Sequence, residues 1–156
     1  MNLFFANIFI AIIWVALSAN PSVNSFIVGF IVGFIMTAIF QSLFKTSRYP
    51  LRLISFVTFI FYFIKAFILA NLSVVHTVLL KKREDINPNI ISYDVTGLSE
   101  TEVLILSHCI TLTPGTTTID YTGNTLYLHA LDASDPEAVR KSIKVELLTP
   151  MLGFTR

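Results

Sequence analysis

The pattern of apolar and polar positions divides the chain into an apolar first half and a more polar second half. The apolar half contains three segments, at about residues 3–19, 25–44 and 53–80. The third segment has 28 residues and one formal charge, Lys65. As a helix it would be roughly 42 Å long, more than the ~30 Å of a bilayer core. We therefore expect residues 1–80 to form a membrane domain and residues 81–156 to form a small soluble domain.

Polar side chains of the third segment fall on one stripe when the segment is drawn as a helix. At about 100° per residue, the stripe contains Ser55, Thr58, Tyr62, Lys65, Leu69, Ser73 and His76. A lysine in the middle of an apolar helix costs about 3 kcal/mol when it faces lipid, so such groups usually have a partner. We expect Lys65 and His76 to face another protein. Snorkelling of Lys65 to the membrane surface is the alternative.

The second segment carries a Gly-x-x-x-Gly pattern at Gly29 and Gly33. Two small residues one helical turn apart let the backbone of another helix come close. The pattern is also frequent by chance in apolar segments. It predicts packing against a neighbouring segment of this chain or, alternatively, against another subunit.

Basic residues flank the third segment on both sides. They are Lys45, Arg48 and Arg52 before it and Lys81, Lys82 and Arg83 after it. Tyr49-Pro50, within the first cluster, predicts the end of the preceding helix. Three full crossings would put the two clusters on opposite sides of the membrane, and the positive-inside rule cannot satisfy both. We expect three crossings with the C-terminal domain in the cytoplasm. A third segment lying partly in the membrane interface is the alternative.

The polar half shows strand and helix signals in the order β-α-β-β-α. The predicted strands are residues 90–95, 116–121 and 125–131, and the predicted helices are residues 100–112 and 136–148. Ser99 with Glu102, and Ser134 with Glu137, form two capping boxes. Gly123-Asn124 predicts a short hairpin, and Pro150 the end of the last helix. The fold class is therefore a helical membrane half followed by an α+β domain, similar to a ferredoxin-like half-sandwich without its last strand.

Composition and charge exclude several classes of function. The chain is 54% hydrophobic and 13% charged, which is atypical of a soluble domain. Residues 1–44 carry no charge, residues 45–80 carry +4 and residues 81–156 carry −3. The basic groups lie around the apolar half, which does not favour nucleic acid as a partner. The single cysteine, Cys109, permits no intramolecular disulfide.

No catalytic or metal-binding pattern emerges from the titratable residues. His76, His108 and His129 lack the spacing of zinc ligands, and neither CxxC nor HExxH occurs. His108 and Cys109 are adjacent on a predicted helix, where neighbouring side chains point about 100° apart, so they do not form a nucleophile–base pair. We expect no enzyme activity, no cofactor and no metal site.

Thr113-Pro114-Gly115 stands out as a sharp reversal from helix to strand. Pro fixes φ and Gly leaves it free, and three nearby hydroxyls can bond to the backbone. These hydroxyls belong to Thr111, Thr113 and Thr116. The corner is either a well-specified turn or a docking surface, and the sequence favours neither.

Two blocks resemble a known family. Residues 107–116, Ser-His-Cys-Ile-Thr-Leu-Thr-Pro-Gly-Thr, resemble the Ser-x-x-Ile-Thr-Leu-Thr-Pro-Gly-Thr block of the E subunit of Mrp/Mnh-type multisubunit cation/proton antiporters. Residues 126–132, Leu-Tyr-Leu-His-Ala-Leu-Asp, are similar to the Leu-x-Val/Ile-His-x-Leu-Asp strand that follows in that family. Leu128 replaces the commoner Val or Ile.

The resemblance implies an accessory subunit of a sodium–proton antiporter in a bacterial plasma membrane. Its partners would be large complex I-like subunits, which carry the ion pathways, small membrane subunits, and membrane lipid. The expected subunit-contact or structural residues are Lys65, His76, Gly29, Gly33, Thr113, Pro114, Gly115 and His129.

Two other functions are alternatives to this one. A stand-alone membrane-anchored sensor or ligand-binding module remains the alternative. Direct ion conduction is disfavoured because Lys65 and His76 lie about 16 Å apart along the helix axis and bring no carboxylate. Hard cations such as Na⁺ prefer oxygen ligands.

Overall fold

The structure is a computed structural model that describes residues 3–40 and 49–156. The chain forms two compact units, Met1–Ile54 and Ser55–Arg156. Predictions for residues 41–48, including the end of the second apolar segment and the basic residues Lys45 and Arg48, lie outside the described residues. The predicted domain boundary at residue 80 concerns the edge of the membrane and stays a prediction.

The first unit contains a helical hairpin, α1 (Leu3–Leu17) and α2 (Val23–Phe40). Gly29 and Gly33 are buried in α2 and face α1. A Cβ built on Gly29 would lie 2.7 Å from the Cβ of Trp14, and one built on Gly33 would overlap the side chain of Asn7. Because Gly29 meets residues later in α1 than Gly33 does, the two helices run antiparallel.

Helix α3 (Tyr49–Leu80) is the longest element, with 32 residues. It begins before residue 53 because Pro50 occupies its first turn, where a missing N–H group breaks no intrahelical hydrogen bond. Among the described helices, α2 and residues Pro50–Leu80 of α3 are long and apolar enough to cross a membrane. Helix α1, with 15 residues, is shorter. The three predicted apolar segments thus give two helices of membrane-spanning length.

The α+β domain has the predicted order of elements. They are β1 (Asn89–Asp94), α4 (Glu100–Leu112), β2 (Thr116–Thr122), β3 (Thr125–Ala130), α5 (Pro136–Ser142), a π-helical stretch (Ile143–Leu148) and α6 (Thr149–Thr155). Strand β3 lies between β1 and β2 and is antiparallel to both. Gly123 and Asn124 both have positive φ, as expected for a two-residue hairpin turn.

One predicted cap is confirmed and the other is wrong. Ser99 and Glu102 form the predicted capping box, in which the Ser99 N–H donates to Glu102 Oε2 at 2.8 Å. At the start of α5 the cap is Asp135 instead of Ser134, since its carboxylate accepts from the N–H groups of Glu137 and Ala138. A carboxylate can accept from two donors at once, whereas a serine next to Asp132 bonds locally.

The prediction that the last helix ends at Pro150 is also wrong. The helix continues to Thr155 through a π-helical stretch, and Pro150 lies in the first turn of α6. The N–H group of Thr149 donates to the carbonyl of Lys144, five residues earlier. This wider turn makes room for the proline ring, which would clash with a carbonyl four residues back in a regular α-helix.

The core of the second unit includes one face of α3. Leu106, Ile110, Leu126 and Met151 are fully buried, and α3 adds Phe59 and Ala66 to the same cluster. The face of α3 toward the domain contains Phe59, Phe63, Ala66, Ala70, Val74 and Thr77, which are buried or partly buried. Helix α3 from Ser55 onward is therefore part of the domain's packing.

Candidate functional site

The Thr-Pro-Gly corner, residues 113–115, is held by hydrogen bonds within the domain. Thr113 Oγ1 donates to the carbonyl of Ile110 at 2.7 Å, and Thr116 Oγ1 donates to the same carbonyl at 3.1 Å. The Leu131 N–H donates to the carbonyl of Gly115 at 2.8 Å. The first two bonds go to a carbonyl in the last turn of α4, where the helix itself leaves carbonyls without a regular partner. The third joins the corner to the residue that follows β3.

Gly115 brings the corner against α3. Its φ is +92°, in the region where a residue with a Cβ is strained. A Cβ built on Gly115 would lie 3.1 Å from Cγ2 of Val74. The corner therefore needs glycine for two independent reasons, the backbone conformation and the close approach of α3.

A crevice of about 330 Å³ opens between α3 and the corner. Small side chains of α3 make room for it, and they are Ala66, Ala70 and Ser73. Pro114 and Glu146 lie among the residues on the domain side. The volume is at the lower end of the range for ligand pockets, and its lining combines apolar groups with hydroxyls and the carboxylates of Asp132 and Glu146. It can accept a side chain or a short segment of a partner.

An ion pair ties the C-terminal end of α3 to the domain. The ammonium group of Lys81 donates to the carboxylate of Asp132, which follows β3. This hydrogen bond, followed by one from Ser134, lowers the pKa of Asp132 to about 2. Lys81, which the sequence placed in a basic cluster, thus has a structural partner at the end of the 126–132 block.

A buried carboxylate fixes the start of α4 to the end of α6. Glu102 is 6% exposed and accepts from Thr155 Oγ1 at 2.8 Å and from Arg156 Nε at 3.1 Å. The hydrogen bond from Arg156, followed by the one from the Ser99 backbone, lowers the pKa of Glu102 to about 2. Sequence patterns identified Glu102 only as part of a cap, because the partner Arg156 is 54 residues away.

These two carboxylates predict a loss of stability in acid. Their pKa values of about 2 in the folded chain lie below the ordinary values of 4.5 and 3.8. Their contribution is therefore complete above about pH 4.5 and is lost as the pH falls toward 2. We expect the thermal midpoint of the full chain in detergent to fall across this window, and Glu102→Gln to flatten the slope and lower the free energy of unfolding by about 1–3 kcal/mol.

The matched control for this prediction is Glu100→Gln, which changes an exposed carboxylate on the same turn of α4. A pH slope that Glu102→Gln leaves unchanged would contradict the assignment of the acid sensitivity to Glu102.

The structure does not bring the other predicted residues into the crevice. Lys65 and His76 are exposed on α3, to one side of the face that packs on the domain. His129 is exposed on the outer face of the sheet, between Ile90 of β1 and Thr117 of β2. Gly29 and Gly33 belong to the α1–α2 hairpin.

Other chemistry-bearing groups do not assemble into a reactive site. Cys109 is buried, and burial raises the pKa of its thiol. Within residues 3–40 and 49–156, no three His, Cys, Asp or Glu side chains are grouped so as to hold a metal ion. The crevice beside α3 is therefore the candidate site, and its character is that of a contact surface.

Comparisons with known proteins identify relatives over nearly the whole chain. A family described as "Na+/H+ ion antiporter subunit" matches residues 7–152. The E subunit of the Na(+)/H(+) antiporter of Bacillus subtilis is 39% identical over 133 residues, 84% of each chain. The corresponding protein of Alkalihalophilus pseudofirmus is 30% identical over 152 residues, 96% of each chain.

One solved structure is similar in fold as well as in sequence. It is a chain of the membrane-bound sulfane sulfur reductase, an archaeal respiratory membrane complex. The TM-score is 0.56 and the identity 30%, over 93% of this chain and 98% of that chain.

Proposed function

This chain belongs to the E-subunit family of multisubunit Na+/H+ antiporters, and we propose that it supports assembly of the antiporter without carrying the ion path. The family is one of transporter subunits, so the chain is not an enzyme and its partners are other antiporter subunits. The proposed ion-carrying partners are large complex I-like subunits, with small membrane subunits alongside.

The distribution of charge in the apolar half carries the proposal. Residues 1–80 contain no Asp or Glu, and α1 and α2 contain no charged residue. A sodium path needs oxygen ligands and a proton path needs a relay of ionisable groups. The helices of this chain offer Lys65 and His76, which do not meet either need. The ion path therefore belongs to other subunits.

Lys65 and His76 are the proposed contacts with a neighbouring subunit. Both remain exposed although the adjacent face of α3 is covered by the domain. An ammonium group in an apolar setting is stabilised by a partner acid or carbonyl. We propose that the neighbour supplies such a group to Lys65.

For the remaining predicted residues we propose roles in helix packing, in forming the wall of the crevice and in contact with a partner. Gly29 and Gly33 allow the close approach of α1 and α2, and Thr113, Pro114 and Gly115 shape one wall of the crevice. His129 would contact a partner from the outer face of the sheet. The second candidate function is that of a ligand-binding module, and the crevice is the observation that would favour it.

We also propose the finer features of fold and placement. The membrane domain would comprise residues 1–80, and the α+β domain would face the cytoplasm, next to the basic residues 81–83. The order β1-β3-β2, with β3 antiparallel to both neighbours, supports a ferredoxin-like half-sandwich.

Affinity purification from the native membrane tests the subunit role. The tagged chain would be extracted in mild detergent, and co-eluting proteins identified by mass spectrometry. We expect several large polytopic proteins in fixed ratio to the tagged chain. A folded, monodisperse chain that elutes alone would favour the stand-alone module, and an unrelated tagged membrane protein is the control.

A further inference from the structure

We propose that α3 lies along the membrane surface instead of crossing the bilayer, with the face opposite the α+β domain in contact with lipid. The occupant of that face is the interface of a bilayer that contains anionic phospholipid. This placement goes beyond the subunit role, which holds for either orientation of α3.

The first reason is that α3 contacts the domain near both of its ends and at points between them. Near the start of α3, the rings of Phe56 and Phe154 lie 5.3 Å apart. Near its end, Lys81 pairs with Asp132. At 1.5 Å per residue, Phe56 and Lys81 are about 38 Å apart along the axis, more than the ~30 Å of a bilayer core. No stretch of α3 long enough to cross the bilayer is therefore free of the domain.

The second reason is that this domain is incompatible with the hydrocarbon core. Its sheet is open, because β1 and β2 are both edge strands. Open sheet edges expose backbone donors and acceptors that lipid cannot satisfy. The domain also carries the ion pairs of Glu102 with Arg156 and of Glu137 with Arg140. A helix α3 that spanned the membrane would draw these groups into lipid.

The third reason is the composition of the opposite face of α3. Seven exposed apolar residues follow one another at intervals of three or four, and they are Val57, Phe61, Ile64, Ile68, Leu72, Val75 and Leu79. This spacing places them on one stripe, which we call the outer stripe. Lys65 and His76 lie to the side of it and can reach headgroups or a neighbouring subunit. The outer stripe can be buried at the boundary between headgroups and acyl chains, while the opposite face of α3 packs on the domain.

The fourth reason is that this placement resolves the conflict between the basic clusters. If α1 and α2 cross the membrane as a hairpin, Arg52 in the first turns of α3 returns to the starting side. A third helix that stays on that side keeps residues 81–83 there as well. Arg52 and the basic residues at 81–83 then lie on the same side, as the positive-inside rule requires. Lys82 is exposed there and is available to anionic headgroups.

Thiol labelling of three variants, each with one added cysteine, tests this topology in membranes that contain the complete antiporter. Asn20→Cys lies between α1 and α2, Thr46→Cys lies in the sequence between α2 and α3, and Asn87→Cys precedes β1. A membrane-impermeant maleimide would be added to right-side-out and to inverted vesicles. Cys109 is buried and gives the background in the unmodified chain.

The two placements give opposite labelling patterns. A surface-lying α3 predicts that Thr46→Cys and Asn87→Cys react from the same side and Asn20→Cys from the other. A spanning α3 predicts that Asn20→Cys and Asn87→Cys share a side, and this result would overturn the proposal. Retained antiport activity in each variant shows that the complex is intact.

Spin labels on the outer stripe provide a second measurement. Labels would be placed at Phe61, Ile68 and Val75 in the full-length chain, and their depth measured by oxygen accessibility. We expect similar, shallow depths at all three positions. A maximum of depth at Ile68, with shallow positions on either side, is the signature of a spanning helix and would refute the proposal.

Discussion

Replacing Gly29 by valine is expected to separate α1 from α2 and to lower recovery of the assembled complex several-fold. A Cβ at this position would lie 2.7 Å from the Cβ of Trp14 and 3.1 Å from the Cα of Ala11. Both atoms are fixed to the α1 backbone, so the helices themselves must move apart. Overpacking of this kind costs about 1–3 kcal/mol, more than the 0.5–1 kcal/mol or so by which glycine weakens a helix.

Gly153→Ala is the matched control for this prediction. Gly153 also lies within a helix, but a Cβ there would be 3.6 Å from Ser55, an ordinary contact distance. This variant should leave the thermal midpoint in detergent unchanged or slightly raised. Equal midpoints for Gly29→Val and the unmodified chain would contradict the close packing of the hairpin.

Gly115→Val is expected to destabilise the second unit by about 2–5 kcal/mol, because it combines backbone strain with overpacking. The left-handed conformation at φ +92° costs a residue with a Cβ about 1–2 kcal/mol. The added atoms also meet Val74 of α3, whose Cγ2 lies 3.1 Å from the new Cβ. Chemical denaturation of the full chain in detergent measures the change.

Gly97 offers a control that separates the two contributions. Its φ is +83°, but a Cβ built there meets no atom within 4 Å. Gly97→Val should therefore show only the backbone cost. Adding Val74→Ala should recover part of the loss in Gly115→Val and none of it in Gly97→Val. Equal losses in the free energy of unfolding for Gly115→Val and Gly97→Val would show that the contact with α3 contributes nothing.

Local signals predicted the parts of the domain that depend on neighbouring residues. Ser99 and Glu102 are three residues apart, and the side chain of each accepts a hydrogen bond from the backbone N–H group of the other. Gly123 and Asn124 specify their hairpin by conformation alone. The errors arose where two local signals competed. Before Pro150 a π-helical turn makes room for the proline ring. The residue predicted to end the helix therefore lies in the first turn of α6.

Contacts between distant residues could not be predicted in this way. The polar stripe of α3 is predicted to face another protein, and this stays a prediction. The packing of the chain's own domain on the adjacent face, which includes Phe59 and Ala66, was not predicted from the sequence. Small residues four apart, Ala66 and Ala70, were the available signal for close packing. The pairs Lys81–Asp132 and Glu102–Arg156 join residues more than 50 positions apart, where charge alone does not identify the partner.

The accessory role is tested most directly by separating assembly from transport in the double variant Lys65→Gln/His76→Gln. Sodium-driven proton movement in inverted vesicles would be divided by the amount of assembled complex on native gels, with Thr58→Gln, on the same stripe, as the control. We expect fewer complexes, because two partner contacts are lost, and unchanged activity and sodium dependence per complex. An unchanged amount of complex with an altered sodium dependence would place these residues in the ion path and contradict the account.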